Sequence, residues 1–83
     1  MSGSVRVLAF AGARDVIGAS EILVPLDQPE SARRFLDRIC AQHPALGPHL
    51  GSIRLAVNCC FARWDDVVCP GDEVAIIPPV AGG

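Results

Sequence analysis

The stretch most open to chemistry is rich in proline and glycine and comprises Pro78, Pro79, Val80, Ala81, Gly82 and Gly83. The two prolines cannot donate ladder hydrogen bonds and favour polyproline II, so we expect them to end a strand and to project the residues that follow as a stiff stalk. The remaining side chains are small or absent. This segment is therefore expected to thread a channel only as wide as a backbone.

We expect the reactive group of this tail to be the α-carboxylate of Gly83. A carboxylate becomes a good electrophile when ATP adenylates it, and a glycyl adenylate has no Cβ atom to crowd the attack. A persulfide can then convert it to a thiocarboxylate. This chemistry needs no catalytic side chain on the carrier, and the sequence contains no GxSxG, Walker or HExxH motif. The alternative is that the glycines are only a frayed end.

Length and composition predict one small globular domain without an enclosed active site of its own, since the chain has 83 residues. The net charge of −2 and the lack of a basic, aromatic-rich cluster argue against nucleic-acid binding. The sequence has no leader-like segment and no apolar run long enough to span a membrane, so we expect a cytoplasmic protein. The hydrophobic content of 51% predicts an exposed apolar surface for a partner.

The four cysteines are Cys40, Cys59, Cys60 and Cys69. They contain no CxxC pair, and a cytoplasmic chain is kept reduced, so we interpret them as small apolar residues. Cys40 and His43 have the spacing of two zinc ligands, but no second spaced pair accompanies them. We therefore expect no metal site.

The hydrophobic pattern predicts strands at 4–11, 21–26, 53–58, 61–64 and 73–78, with a short helical turn at 13–18. A longer amphipathic helix is expected between Ser31 as its N-cap and Pro44, which forbids continuation. Pro25 suits an edge strand, and Pro70 followed by Gly71 suits a type II turn.

This order of elements predicts an α+β roll in which one helix packs across one face of a mixed sheet of four to five strands. The helix covers only one face. Alternation along the strands leaves Phe10, Phe61 and Ile77 on the uncovered side, where they predict an exposed apolar patch. The alternative is that loops fold back over them.

The stretches "VRVLAFAGARDVIG" and "LAVNCCFARWDDVVCPGDEVAIIPPVAGG" resemble the small subunits of molybdopterin synthase, which belong to the ubiquitin-like sulfur carriers with the β-grasp fold. The resemblance implies a β-grasp domain at 1–77 and an extended tail at 78–83. It further implies that an ATP-dependent adenylating enzyme activates Gly83, that a persulfide donor supplies sulfur, and that the chain itself binds no cofactor.

In such a family the tail enters the large synthase subunit and donates sulfur to cyclic pyranopterin monophosphate, within a heterotetramer of two small and two large subunits. The resemblance implies that Phe10, Phe61 and Ile77 contact the partners. Arg14 matches a family arginine near that interface, with a local surface ion pair as the alternative. Asn58 matches a family turn residue and is expected to be structural.

Two other functions remain open from the sequence. A carrier for another pathway, such as thiamine, cysteine or tRNA thiolation, also ends in a diglycine, although the residues before it commonly differ. A ubiquitin-like modifier would instead join Gly83 to a lysine of a target protein.

Overall fold

The computed structural model describes residues 3–77. Its elements, in chain order, are β1 (Ser4–Ala9), α1 (Ala11–Ile17), β2 (Glu21–Pro25), β3 (Glu30–Ser31), α2 (Ala32–Gln42), a 3-10 segment (Pro44–Ser52), β4 (Arg54–Val57), β5 (Cys60–Phe61), β6 (Val67–Val68) and β7 (Glu73–Ile77). The predicted division into a domain at 1–77 and a tail at 78–83 stays a prediction, since the tail lies outside the described residues.

Five of the strands form one mixed sheet in the order β2-β1-β7-β4-β5, and β3 pairs with β6 in a separate two-stranded sheet. In the larger sheet β1 and β7 are parallel neighbours, while the other neighbouring strands are antiparallel. This arrangement confirms the predicted α+β roll of the β-grasp type. Pro25 lies in β2 at the sheet edge, as predicted, where its missing N–H removes no ladder bond.

Helix α2 forms because its apolar residues recur at helical spacing and because both of its ends are fixed. The Ser31 side chain accepts a hydrogen bond from the Arg34 N–H at 3.2 Å, which caps the first turn as predicted. The helix ends at Gln42, before Pro44. Its buried face, centred on Phe35 and Ile39, belongs to the same core cluster as the inward side chains of β1 and β7. Each such large side chain stabilises the fold by about 1.5–3 kcal/mol.

Two tight turns follow the predicted chemistry. Helix α1 ends at Gly18, whose φ of 84° lies in the left-handed region that glycine adopts freely. In the turn before β7, Gly71 has a φ of 91° and the Asp72 N–H donates to the Cys69 carbonyl oxygen at 3.0 Å. A positive φ at the third residue agrees with the predicted type II turn.

Some predicted element bounds were wrong. The first strand ends at Ala9, because Phe10 is already the N-cap of α1. The strand predicted at 61–64 is Cys60–Phe61. The segment predicted as turns between α2 and β4 is a 3-10 helix. Within residues 3–77, no helix is long and apolar enough to cross a membrane.

Candidate functional site

The two faces of the five-stranded sheet differ in burial, and this difference locates the candidate site. On β1 the residues Val5, Val7 and Ala9 are buried, and on β7 so are Val74 and Ile76. Successive side chains on a strand point to opposite faces. The alternate residues therefore lie on a second face, which we call the outer face, away from the core that α2 completes.

An apolar row crosses the outer face from β1 to β5. Leu8 lies opposite Ala75, Ala75 opposite Ala56, and Ala56 opposite Phe61. Phe61 is 73% exposed, because its neighbour in the row is only an alanine. Leu8 and Ala75 are half-buried and Ala56 is buried, so the row is a shallow apolar surface from which one ring protrudes.

A second part of the site lies where β1 and β7 end together, which we call the tail-exit edge. These strands are parallel, and Ala9 is opposite Ile76, so the next positions, Phe10 and Ile77, follow at the same edge. Phe10 is 49% exposed, and Ile77 is half-buried. The structure thus brings Phe10 and Ile77 to one edge and places Phe61 in the row beside them.

The predicted patch therefore lies on one face, and no described loop covers the two phenylalanine rings. For these two rings, the alternative that a described loop folds back over them is wrong; for the half-buried Ile77 the exposed position stays a prediction. The sequence did not predict that Leu8, Ala56 and Ala75 form a continuous row. Alternation along β1 and β7 sets Leu8 and Ala75 on the same side as Phe10 and Ile77, but the strand order that joins them to Ala56 depends on long-range pairing.

The predicted reactive residue Gly83 and the predicted insertion segment, 78–82, lie outside the described residues. Their roles stay predictions. The described chain does fix where they start, since Ile77 is the last residue of β7 and lies at the tail-exit edge.

Arg14 lies on α1 and is exposed. With Phe10 and Glu21 it lines an open cleft of about 360 Å³ beside the tail-exit edge. The ion pairs found within residues 3–77 involve Arg6 and Arg38, so the alternative of a local surface ion pair for Arg14 finds no support there. A contact of Arg14 with a partner stays a prediction.

The Asn58 side chain forms hydrogen bonds that connect two turns. Its side-chain Nδ2 donates to Asp72 Oδ1 at 3.1 Å, and its Oδ1 accepts from the Glu73 N–H at 3.0 Å. The other Asp72 oxygen accepts from the Cys69 N–H at 2.8 Å. These bonds hold the β4–β5 hairpin against the start of β7, which agrees with the expected structural role of Asn58.

The cysteines do not assemble with other ligands in the described chain. All four are free; Cys40 is half-buried, and the other three are exposed. Burial, with a smaller effect of Asp37, raises the pKa of the Cys40 thiol. Residues 3–77 contain no group of three or more His, Cys, Asp or Glu side chains that could hold a metal ion.

Comparison with known proteins adds to this geometry. The chain matches the ThiS family over residues 7–83. It is 38% identical over 81 residues to the molybdopterin synthase sulfur carrier subunit of Chlamydomonas reinhardtii, a match that covers 95% of this chain and 98% of the relative. The corresponding subunit of Escherichia coli (strain K12) is 35% identical over 81 residues, with 95% and 99% covered.

The fold is similar to the crystal structure of small archaeal modifier protein 1 from Haloferax volcanii. The TM-score is 0.86 at 29% identity, and the match covers 98% of this chain and 100% of the other. The matched regions include the outer face and the tail-exit edge described above.

Proposed function

Because the chain belongs to the ThiS family, we propose that it is the sulfur carrier subunit of a molybdopterin synthase. The observation that carries this proposal is the family match, which extends through the tail to residue 83. Curated relatives named as such subunits support it, with identities of 38% and 35% over nearly their whole length.

The proposed chemistry takes place at Gly83. In an activating enzyme, a carboxylate oxygen of Gly83 attacks the α-phosphorus of ATP, and pyrophosphate leaves. The terminal sulfur of a persulfide then attacks the acyl carbon, and AMP leaves. A second thiol cleaves the resulting acyl disulfide, so that the thiol pair is oxidised to a disulfide and the glycyl thiocarboxylate is released. We propose that the large subunit uses this sulfur on cyclic pyranopterin monophosphate.

The described part of the chain suits the binding role in this scheme. The apolar row and the tail-exit edge are contiguous, so a partner that packs on Phe61 and Phe10 also receives the chain where it leaves Ile77. We propose that the large subunit and the activating enzyme use this face in turn, with two small and two large subunits in the synthase. The chain is then a sulfur-donating subunit in the cytoplasm, binds no cofactor, and is not an enzyme on its own.

The test is the intact mass of the protein purified from cells with an active sulfur-transfer pathway. We expect a mass increase that matches replacement of one oxygen by sulfur, located in the C-terminal peptide. Co-purification of the large synthase subunit would separate this pathway from thiamine, cysteine or tRNA thiolation. An unmodified Gly83 in such cells would contradict the proposal.

A covalent modifier is the second candidate, favoured by the similarity to small archaeal modifier protein 1. In that case Gly83 forms an amide bond with a lysine of a target protein. The same mass measurement distinguishes the two candidates, because a modifier is recovered as a branched peptide joined to its target and carries no stable sulfur.

A further inference from the structure

The β4–β5 register, continued past Phe61, brings two arginines to the tail-exit edge. Arg54 is the first residue of β4 and lies directly opposite Ile77. The β4–β5 register continues beyond Phe61, because the Ala62 N–H donates to the Leu55 carbonyl oxygen at 2.9 Å. One position further, the same register sets Arg63 opposite Arg54.

Arg54 lies at the end of the apolar row, and the continued register sets Arg63 beside it. Ala56 and Phe61 belong to that row and are opposite each other. Arg54 is two residues from Ala56 within β4, so their side chains share a face. Arg63 follows β5, and the bond between Ala62 and Leu55 keeps the chain beside β4 up to that residue. Both arginines are exposed. The positive pair therefore continues the apolar surface instead of lying on a separate side.

The pair is not neutralised within the described chain. The ion pairs within 4.0 Å that residues 3–77 form involve Arg6 and Arg38. Asp66 is close in sequence, but its Oδ2 accepts from the Arg63 backbone N–H at 2.8 Å and so closes a turn. Arg33 and Asp37 of α2 line the same cleft as Arg54, so the helix adds one positive and one negative charge to this edge.

Like charges directly opposite each other on paired strands destabilise the sheet. The arrangement becomes favourable when an anion binds between the two guanidinium groups, since arginine pairs with carboxylates through geometrically matched, charge-assisted hydrogen bonds. We infer that Arg54 and Arg63 bind a carboxylate side chain on the protein that receives the tail. This inference rests on the proposed function. It adds that the partner surface carries an acidic residue next to an apolar depression.

We expect the two arginines to affect the orientation of the partner more than its affinity. Rim charges mainly steer association and fix the relative register of two surfaces, while buried apolar contacts supply most of the affinity. Because the chain as a whole is acidic, with a net charge of −2, a local positive edge distinguishes the tail-exit end from the rest of the surface.

Arg63→Glu tests the inference, with the large synthase subunit of the same organism as the probe. The introduced carboxylate lies opposite Arg54 and takes the place of the partner's carboxylate. We expect the dissociation constant to rise roughly tenfold at low salt and by less at high salt, where charges are screened. The melting temperature should stay equal or rise, because a like-charge pair becomes an opposite-charge pair.

Arg34→Glu is the matched control, since Arg34 is also exposed but lies on α2, and the charge change is the same. Its dissociation constant should match that of the wild type. Arg54→Gln removes one positive charge without adding a negative one, and we expect a smaller rise than for Arg63→Glu.

Equal affinities for the Arg63→Glu and Arg34→Glu variants, with binding still weakened by Phe61→Asp, would overturn the inference and leave the proposed function intact. A wild-type chain that does not bind the large subunit would overturn both, because the inferred carboxylate belongs to that partner.

Discussion

Ala56 on β4 lies directly opposite Phe61 on β5. Side chains at opposite positions of an antiparallel pair are close neighbours, yet the alanine methyl group covers little of the aromatic ring, which remains 73% exposed. Exposure of a large ring next to a flat row of small apolar side chains is typical of an anchor residue that inserts into a partner. Phe61 is therefore the described residue best suited to dominate binding.

Substitution Phe61→Asp should weaken binding to the large subunit by roughly 30-fold or more, a cost of about 2 kcal/mol. The complex would have to bury an unpaired carboxylate in an apolar contact. The melting temperature of the free chain should change little, since the ring is already in solvent. Isothermal titration calorimetry against the large subunit measures the first quantity, and thermal unfolding measures the second.

Val67→Asp is the control for this substitution. Val67 is also an exposed apolar side chain, at 57%, but it belongs to the separate β3–β6 sheet. We expect wild-type affinity. Equal weakening by both substitutions would mean that added negative charge, and not the loss of the Phe61 ring, controls binding.

Deletion of Gly83 should abolish sulfur transfer and leave the melting temperature nearly unchanged. The deletion removes the carboxylate proposed for adenylation, and a short extended segment contributes little buried surface. The two measurements are a sulfur-transfer assay with the activating enzyme and thermal unfolding of the purified chain. A large fall in melting temperature would contradict the predicted separation of the tail from the domain at 1–77.

Much of the scaffold was predictable because its signals are local. Helix α2 follows from a helical repeat that runs from Ala32 to Ile39, and its start from the capping group of Ser31. The turn at Pro70 and Gly71 follows from the φ values that these residues allow. Such elements need no knowledge of which strands are neighbours.

The missed features depend on long-range pairing or on very short elements. Pairing on β5 begins at Cys60, because only two residues, Asn58 and Cys59, close the hairpin. It ends early because Arg63 and Asp66 form a turn. The β3–β6 pair has two residues per strand, too few to show a period. The placement of Arg63 beside Arg54 follows only from the β4–β5 register and its continuation at Ala62.

Cys59→Gly should stabilise the free chain by about 0.5–1 kcal/mol. Asn58 and Cys59 have φ values of 50° and 72°, so both central residues of the hairpin turn lie in the left-handed region. Such turns favour Asn followed by Gly, because a side chain with a Cβ atom is strained there. Urea unfolding of the two proteins measures the difference.

The matched control is Cys60→Gly, one residue further along. Cys60 is in β5, opposite Val57, where glycine adds flexibility without relieving strain. We expect this variant to be less stable than the wild type. If both glycine substitutions lower stability, the left-handed conformation at Cys59 is not a source of strain in solution.

Gly3→Ala and Gly12→Ala should change stability in opposite directions. A Cβ atom on Gly3 would lie 2.6 Å from the Leu26 carbonyl oxygen and 2.7 Å from the Pro70 Cβ atom. A backbone atom and a proline ring cannot easily move aside, so we expect a loss of about 1–3 kcal/mol. On Gly12, within α1, a Cβ atom would meet nothing within 4 Å, and the better helix propensity of alanine should add about 0.5–1 kcal/mol.

Urea unfolding of the two variants and of the wild type measures whether each substitution raises or lowers the free energy of unfolding. The first strand is anchored at Gly3, whose carbonyl oxygen accepts from the Leu26 N–H at 3.0 Å and whose N–H donates to Asp27 Oδ1 at 3.0 Å. If Gly3→Ala stabilised the protein, the backbone around Gly3 would be able to shift and make room for the methyl group without a loss of free energy. In that case the β1–β2 edge, and with it the outer face that carries Leu8 and Phe10, would be more adaptable to a partner than the packing at Pro70 implies.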